Sequence, residues 1–153
     1  MKKLIYLLPI FLILFTCNNK DNVNDTNPET FLEQFENTVW LSNVDEVNTY
    51  IRFINDLNHP IEFWVDEGDC FYYDQEDFSE GGSVSENLNN ILEFTYSETY
   101  GDIEYVEIVT VTVSGNTMVV KYVDYENGEI IESGSVYFSK STENVDDFTL
   151  CTF

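Results

Sequence analysis

Cations are scarce in this chain. Its 153 residues include six Lys and Arg against 29 Asp and Glu, for a formal net charge of −23. A nucleic-acid partner is not expected, because binding one requires Lys and Arg to neutralise its phosphates. An anionic membrane surface would repel the folded part for the same reason. Histidine occurs once, as His59, before Pro60 in a turn. A Ser-His-Asp or Cys-His catalyst would have to use that residue, and no Gly-x-Ser-x-Gly motif supports it. Zinc needs several His or Cys ligands, and the sequence lacks them. With 29 acids, two carboxylates at glycosidase spacing can arise by chance, so such pairs carry no signal. The expectation is a non-catalytic protein without a cofactor. It is not a disordered one, because 43% of the residues are hydrophobic and 16% aromatic.

One apolar run stands apart. Lys2 and Lys3 precede Leu4 to Phe15, which are 12 apolar residues, too few to span a bilayer of ~30 Å comfortably. The pattern is that of a signal peptide, to be set aside from the fold. The run ends in Leu14-Phe15-Thr16-Cys17, followed by the polar string Asn18 to Asn22. This resembles a bacterial lipobox, which implies an acylated Cys17 as the mature N-terminus. Cutting before Cys17 leaves 137 residues and removes Lys2 and Lys3 but no acid, so the charge deepens to −25. Residues 17–29 then form a flexible acidic tether, with Val23 as the only apolar side chain of 18–30. Lys20-Asp21 resembles the surface-export signal of lipoproteins in the Bacteroidetes group. The implied location is the outer membrane, lipid-anchored, on its periplasmic face or at the cell surface.

The remainder, 30–153, has the pattern of one all-β domain. Asn27-Pro28-Glu29 is a helix-start signal, and Phe31, Leu32 and Phe35 share a helical face, so one short helix is expected over Pro28–Glu36. Beyond Trp40 the period becomes two, with many β-branched and aromatic residues. Strands are expected over Val39–Ser42, Thr49–Asn55, Pro60–Val65, Asp69–Tyr73, Asn90–Ser97, Ile103–Ser114, Thr117–Tyr125, Glu129–Ser139 and Phe148–Thr152. No intervening segment suits a crossover helix, so an antiparallel meander closing into a barrel or sandwich is expected.

Two hairpins specify a register. A two-residue turn at Gly115-Asn116 pairs Val113 with Met118, Val111 with Val120 and Val109 with Tyr122, giving one apolar face. That face breaks where Glu107 meets Asp124, which suggests an open rim. A turn at Asn127-Gly128 pairs Met118 with Tyr137, Val120 with Ser135 and Tyr122 with Ser133, and sets Gly134 opposite Lys121 on the outer face. Small serines on the inner face would suit either a cavity or the taper of a filled barrel.

With its lipobox, acidic Asn-rich tether, short helix, Thr38-Val39-Trp40 and following meander, the chain resembles the lipocalin-like lipoproteins of Bacteroidetes. The resemblance implies an eight-stranded barrel over about residues 30–153, with Trp40 closing one end. It also implies binding of a small, partly apolar ligand in the barrel mouth. Val109, Val111, Val113, Met118, Val120 and Tyr122 would line that interior, or simply fill it as core. Cys70 and Cys151 remain after Cys17 is assigned to lipid. Outside the cytoplasm they would pair and clasp the C-terminus, or stay as two buried thiols.

A second reading is an acidic module that docks a basic protein. Ser133-Gly134-Ser135-Val136-Tyr137 is similar to a Ser-Gly-containing loop of one family of bacterial lysozyme inhibitors, which are small acidic lipoproteins. The acidic stretch from Asp66 to Glu80 could steer a basic partner. It could also hold calcium, although no Asp-x-Asp-x-Asp-Gly loop is present.

Overall fold

The computed structural model describes residues 29–79 and 81–152. The leader 1–16, Cys17 and the tether as far as residue 28 lie outside the described residues. The helix is α1, Phe31–Phe35, shorter than expected because a capping box sets its start. Thr30 Oγ1 accepts from Glu33 N, and Glu33 Oε2 accepts from Thr30 N. This reciprocal pair satisfies two donors at the helix start.

Nine strands follow: β1 Val39–Val44, β2 Val47–Phe53, β3 Ile61–Asp66, β4 Phe71–Gln75, β5 Gly82–Leu88, β6 Ile91–Tyr100, β7 Ile103–Ser114, β8 Thr117–Glu126 and β9 Glu129–Lys140. All neighbours are antiparallel, in one sheet ordered β4-β3-β2-β1-β9-β8-β7-β6-β5. The all-β antiparallel meander with one short helix is therefore present. A closed barrel of about eight strands is not, because the order ends on β4 and β5, which do not pair. The connection between them bonds to its own neighbours instead. Glu76 N donates to Ile61 O, Phe78 N to Asn58 O, and Ser97 N to Gly81 O. Phe78 lies against Gly82 and the Phe94 ring, with centroids 5.0 Å apart, and packs into the core beside the unpaired ends.

The sheet nevertheless curls on itself. Ile51, Phe53, Ile61 and Phe63 from β2 and β3 line one cavity with Phe94, Val109, Val111 and Val120 from β6 to β8. These strands are remote in the sheet order, so their shared face is concave. Trp40, 1% exposed, packs on that face beside Phe35 at the α1 end.

The β7–β8 register is the expected one, with Val113 opposite Met118, Val111 opposite Val120 and Glu107 opposite Asp124. Gly115, at φ 60°, takes the first corner of the turn, where a side chain is disfavoured. The β8–β9 register differs from expectation by one residue. Met118 pairs with Phe138, Val120 with Val136 and Tyr122 with Gly134. Asp124 pairs with Glu132 and Tyr125 with Ile130, so Ile131 is an extra, bulged residue. A one-residue slip exchanges the two faces. Gly134 is therefore on the concave side, where a Cβ would stand 2.5 Å from the Tyr122 hydroxyl. Ser133 and Ser135 face outward, and Gly134, Val136 and Phe138 take the places expected for Ser133, Ser135 and Tyr137.

The C-terminal segment is not a ninth meander strand. The β1 edge already pairs with β9 through Trp40–Lys140 and Leu41–Ser139. Residues 141–152 instead cross the convex side of β1 to β4 as a strap. The strap carries a short 3-10 turn, Val145–Asp147, and a single parallel bridge between Leu150 and Phe71. Under it, Val39, Tyr50, Trp64 and Val145 form a second core, with Leu41, Phe71 and Phe148 at its margin. Cys70 and Cys151 form a disulfide that ties the strap to the start of β4.

Candidate functional site

The concave face has two parts. Deep in it lies a chamber of about 130 Å³, walled by the apolar side chains of β2, β3 and β6 to β8 and by one carboxyl, Glu76. Val109, Val111 and Val120 line this chamber. Val113 and Met118 lie beyond it toward the α1 end as buried core, Met118 at 0% exposure. Tyr122 packs at the core margin, and its hydroxyl donates to Glu132 Oε1 at 3.3 Å. The valine pattern of β7 and β8 led to three of the nine lining residues. Five more, Ile51, Phe53, Ile61, Phe63 and Phe94, had an equal signal in the alternation of β2, β3 and β6. What the pattern does not carry is that the sheet curls to bring these strands opposite β7 and β8.

Farther along β6 to β9 the face opens into a groove of about 280 Å³, lined by Tyr96, Glu98, Tyr105, Val106, Glu107, Asp124, Tyr125 and Ile131. The bulge that shifts the β9 register also sets Ile131 in this wall. Between groove and chamber stand two strained carboxyls. Glu107 loses hydration among its neighbours and faces the charges of Asp124 and Glu76, so its pKa is raised. Glu107 still touches solvent, and crowding of the carboxyl rather than full enclosure is the cause. Glu76 is raised chiefly by burial, then by Asp74. The Tyr122 hydroxyl is raised first by the Glu132 charge.

Two carboxyls with raised pKa values bind their protons more tightly in the folded chain than in the unfolded one. Their contribution is fully present below the ordinary carboxylate pKa and is lost as pH rises through the raised values. Glu33 and Asp77 act oppositely. Their carboxylates accept bonds from Thr30 and Ser79, which lowers both pKa values and makes their contribution disappear toward strong acid. The urea midpoint should therefore be higher at about pH 5 than at pH 7. Glu107→Gln should raise the midpoint at pH 7 and flatten that slope. An unchanged slope would show that the Glu107–Asp124 pair does not strain the fold.

The convex side offers a different cluster. Glu62 Oε2 accepts from Arg52 Nε at 2.8 Å, Glu62 Oε1 accepts from the Tyr73 hydroxyl at 2.9 Å, and Arg52 Nη1 donates to Asp146 Oδ1 of the strap at 2.8 Å. The guanidinium lies 5.2 Å from the Trp64 ring centre. Burial first, then the Glu62 carboxylate, pushes the Tyr73 hydroxyl up to about 12. Every charge in this cluster has a partner, which makes it a clasp for the strap.

His59 lies beside two carboxylates, Asp56 at 3.7 Å and Asp77 at 3.5 Å, in the loop before β3. The described acidic residues of 66–79 do not converge. Asp66 accepts from Gly68 N and Asn48 Nδ2, while Glu76 turns toward the chamber. Among the described residues no three His, Cys, Asp or Glu side chains gather as a metal would require. Residues 133–137 lie within β9, paired to β8 rather than looped out. No family model matches the chain, and neither a characterised protein nor a solved structure matches it.

Proposed function

We propose that this is a lipid-anchored lipoprotein of the cell envelope, a lipocalin-like scaffold without the final closure, that binds a small, partly apolar ligand without chemistry. The carrying observation is the chamber. It is apolar apart from Glu76, and its volume of about 130 Å³ is close to the ~150 Å³ of a dry cavity that takes up benzene. It falls short of the ~300 Å³ at which drug-sized pockets begin. The buried part of the ligand is then one ring or a short branched chain, and a long acyl chain does not fit.

Two measurements test this reading. Titrating the domain with single-ring aromatics and with long fatty acids should show binding of the former only. Val120→Trp fills the chamber and should weaken that binding at least tenfold, with circular dichroism confirming the fold. Binding that survives in the folded variant would remove the chamber from the function. The anchor rests on Cys17 at the end of the apolar run. Cys17→Ser should abolish palmitate labelling and release the protein from the membrane fraction, and undiminished labelling would overturn that part.

A further inference from the structure

We infer that the groove at the far end of the concave face docks a cationic, aromatic-bearing segment of another protein. The groove is not the chamber, and its walls differ. Tyr96 and Tyr105 supply ring surface, Ile131 an apolar side, and Glu107 and Asp124 charge. Every ionised side chain that lines it is acidic. The cations among the described residues are Arg52, Lys121 and Lys140, and none of them is in its wall. Glu107 and Asp124 sit directly opposite each other on paired strands, so neither neutralises its neighbour. An incoming ammonium or guanidinium would relieve both, and its stem or a neighbouring aromatic residue would lie along the tyrosines.

The rim supports a protein partner over a free small cation. The hairpin tips beside the groove expose Tyr100 at 64%, Ile130 at 63% and Ile131 at 57%. Apolar side chains gathered at the rim of a polar groove mark surfaces that another protein covers. Their direction fits as well. The chain enters the domain at the opposite end, where Asn89 N donates to Glu29 O. The ten residues of β6 separate that end from the Tyr100 tip, a span of roughly 30 Å at strand rise. The groove therefore lies at the end of the domain far from residue 29 and is not covered by the start of the described chain.

The test uses the soluble chain from residue 18 onward and a fluorescent peptide that repeats Lys-Tyr-Lys-Ala. Affinity is measured by anisotropy at ~0.01 M and ~0.15 M salt, over which the Debye length shrinks from ~30 Å to ~8 Å. The peptide should bind at low salt and weaken at least tenfold at the higher salt. Glu107→Gln with Asp124→Asn should weaken low-salt binding at least tenfold. A charge-matched control pair, Asp45→Asn with Glu143→Gln, lies outside the groove and should change it less than twofold. Tyr105→Ser should weaken binding at both salts. The groove variant relieves repulsion, so misfolding does not explain a loss. Equal losses in the two charge pairs would mean a diffuse surface field and would overturn the proposal. So would absent binding at low salt, or equal binding of the peptide with Gln in place of Lys. None of these variants alters the chamber wall, so this result stands or falls separately from the small-ligand reading.

Discussion

Replacing Cys70 and Cys151 together with alanine should cost about 4 kcal/mol, the value of the chain-entropy model for a loop this long. The bonded residues are 81 apart in sequence, so the bond removes much freedom from the unfolded chain. For a domain of this size such a loss corresponds to a fall of roughly 15 °C in Tm. The effect should be local first. The strap's other ties include the Arg52–Asp146 pair, the Ser141–Val39 backbone bond, two backbone bonds at Phe71, the buried Val145 and the rings of Phe148. Phe148 stacks on Phe71 at 4.0 Å and meets Tyr50 edge-on at 4.9 Å. These hold the strap while it is closed but do not restrict the unfolded chain. Chymotrypsin should therefore cut the double variant after Phe148 before it cuts the sheet. Non-reduced peptide mapping of the parent should join the segments around Cys70 and Cys151. A variant with unchanged Tm and unchanged cleavage would show that packing alone seats the strap.

Arg52→Met should cost about 3 kcal/mol or more, the usual consequence of leaving a buried carboxylate without its cation. Glu62 is 8% exposed and would keep only the Tyr73 hydroxyl. The strap would also lose its ion pair at Asp146. Converting both partners, as in Arg52→Met with Glu62→Leu, should restore most of the loss, because an apolar pair of similar volume carries no desolvation cost. In the single variant Glu62 should become harder to ionise. Its stability should then improve toward mild acid, since the folded state would hold a proton that the unfolded state releases. Urea unfolding of the three proteins at two pH values separates these effects. A single variant as stable as the double would place Glu62 in water.

The two long hairpins show where legibility ended. At Gly115-Asn116 the turn and the alternation of Val109, Val111 and Val113 agree, so the register was readable to the residue. At Asn127-Gly128 the turn was equally plain, yet the faces beyond it came out reversed. The cause is the bulge at Ile131, which no local residue announces and which the packing of Phe138 and Val136 into the core stabilises. Strand β5 escaped notice because an edge strand needs few apolar residues. Only Val84 and Leu88 of Gly82–Leu88 are apolar, while Ser83, Ser85 and Glu86 are exposed and Asn87 accepts a bond from Leu32 N of the helix. Phe148 to Cys151 has strand-like composition, but the β1 edge is occupied by β9, so the chain covers the convex face instead.

The sequence by itself determined the local and pairwise features: period-two strands, the Gly115 turn, the facing of Glu107 and Asp124, and the excess of carboxylates. Each depends on residues close in the chain or on composition, and so is written where it acts. Only the tertiary structure decided that the sheet stays open between β4 and β5, that β2 and β3 complete the chamber wall, and that Arg52 and the disulfide hold a strap. These features depend on which edges and faces remain free once the rest of the chain has packed. The groove joins both kinds: its acids and tyrosines are legible residue by residue, but their common wall exists only because β6 to β9 curl together and Ile131 bulges into it.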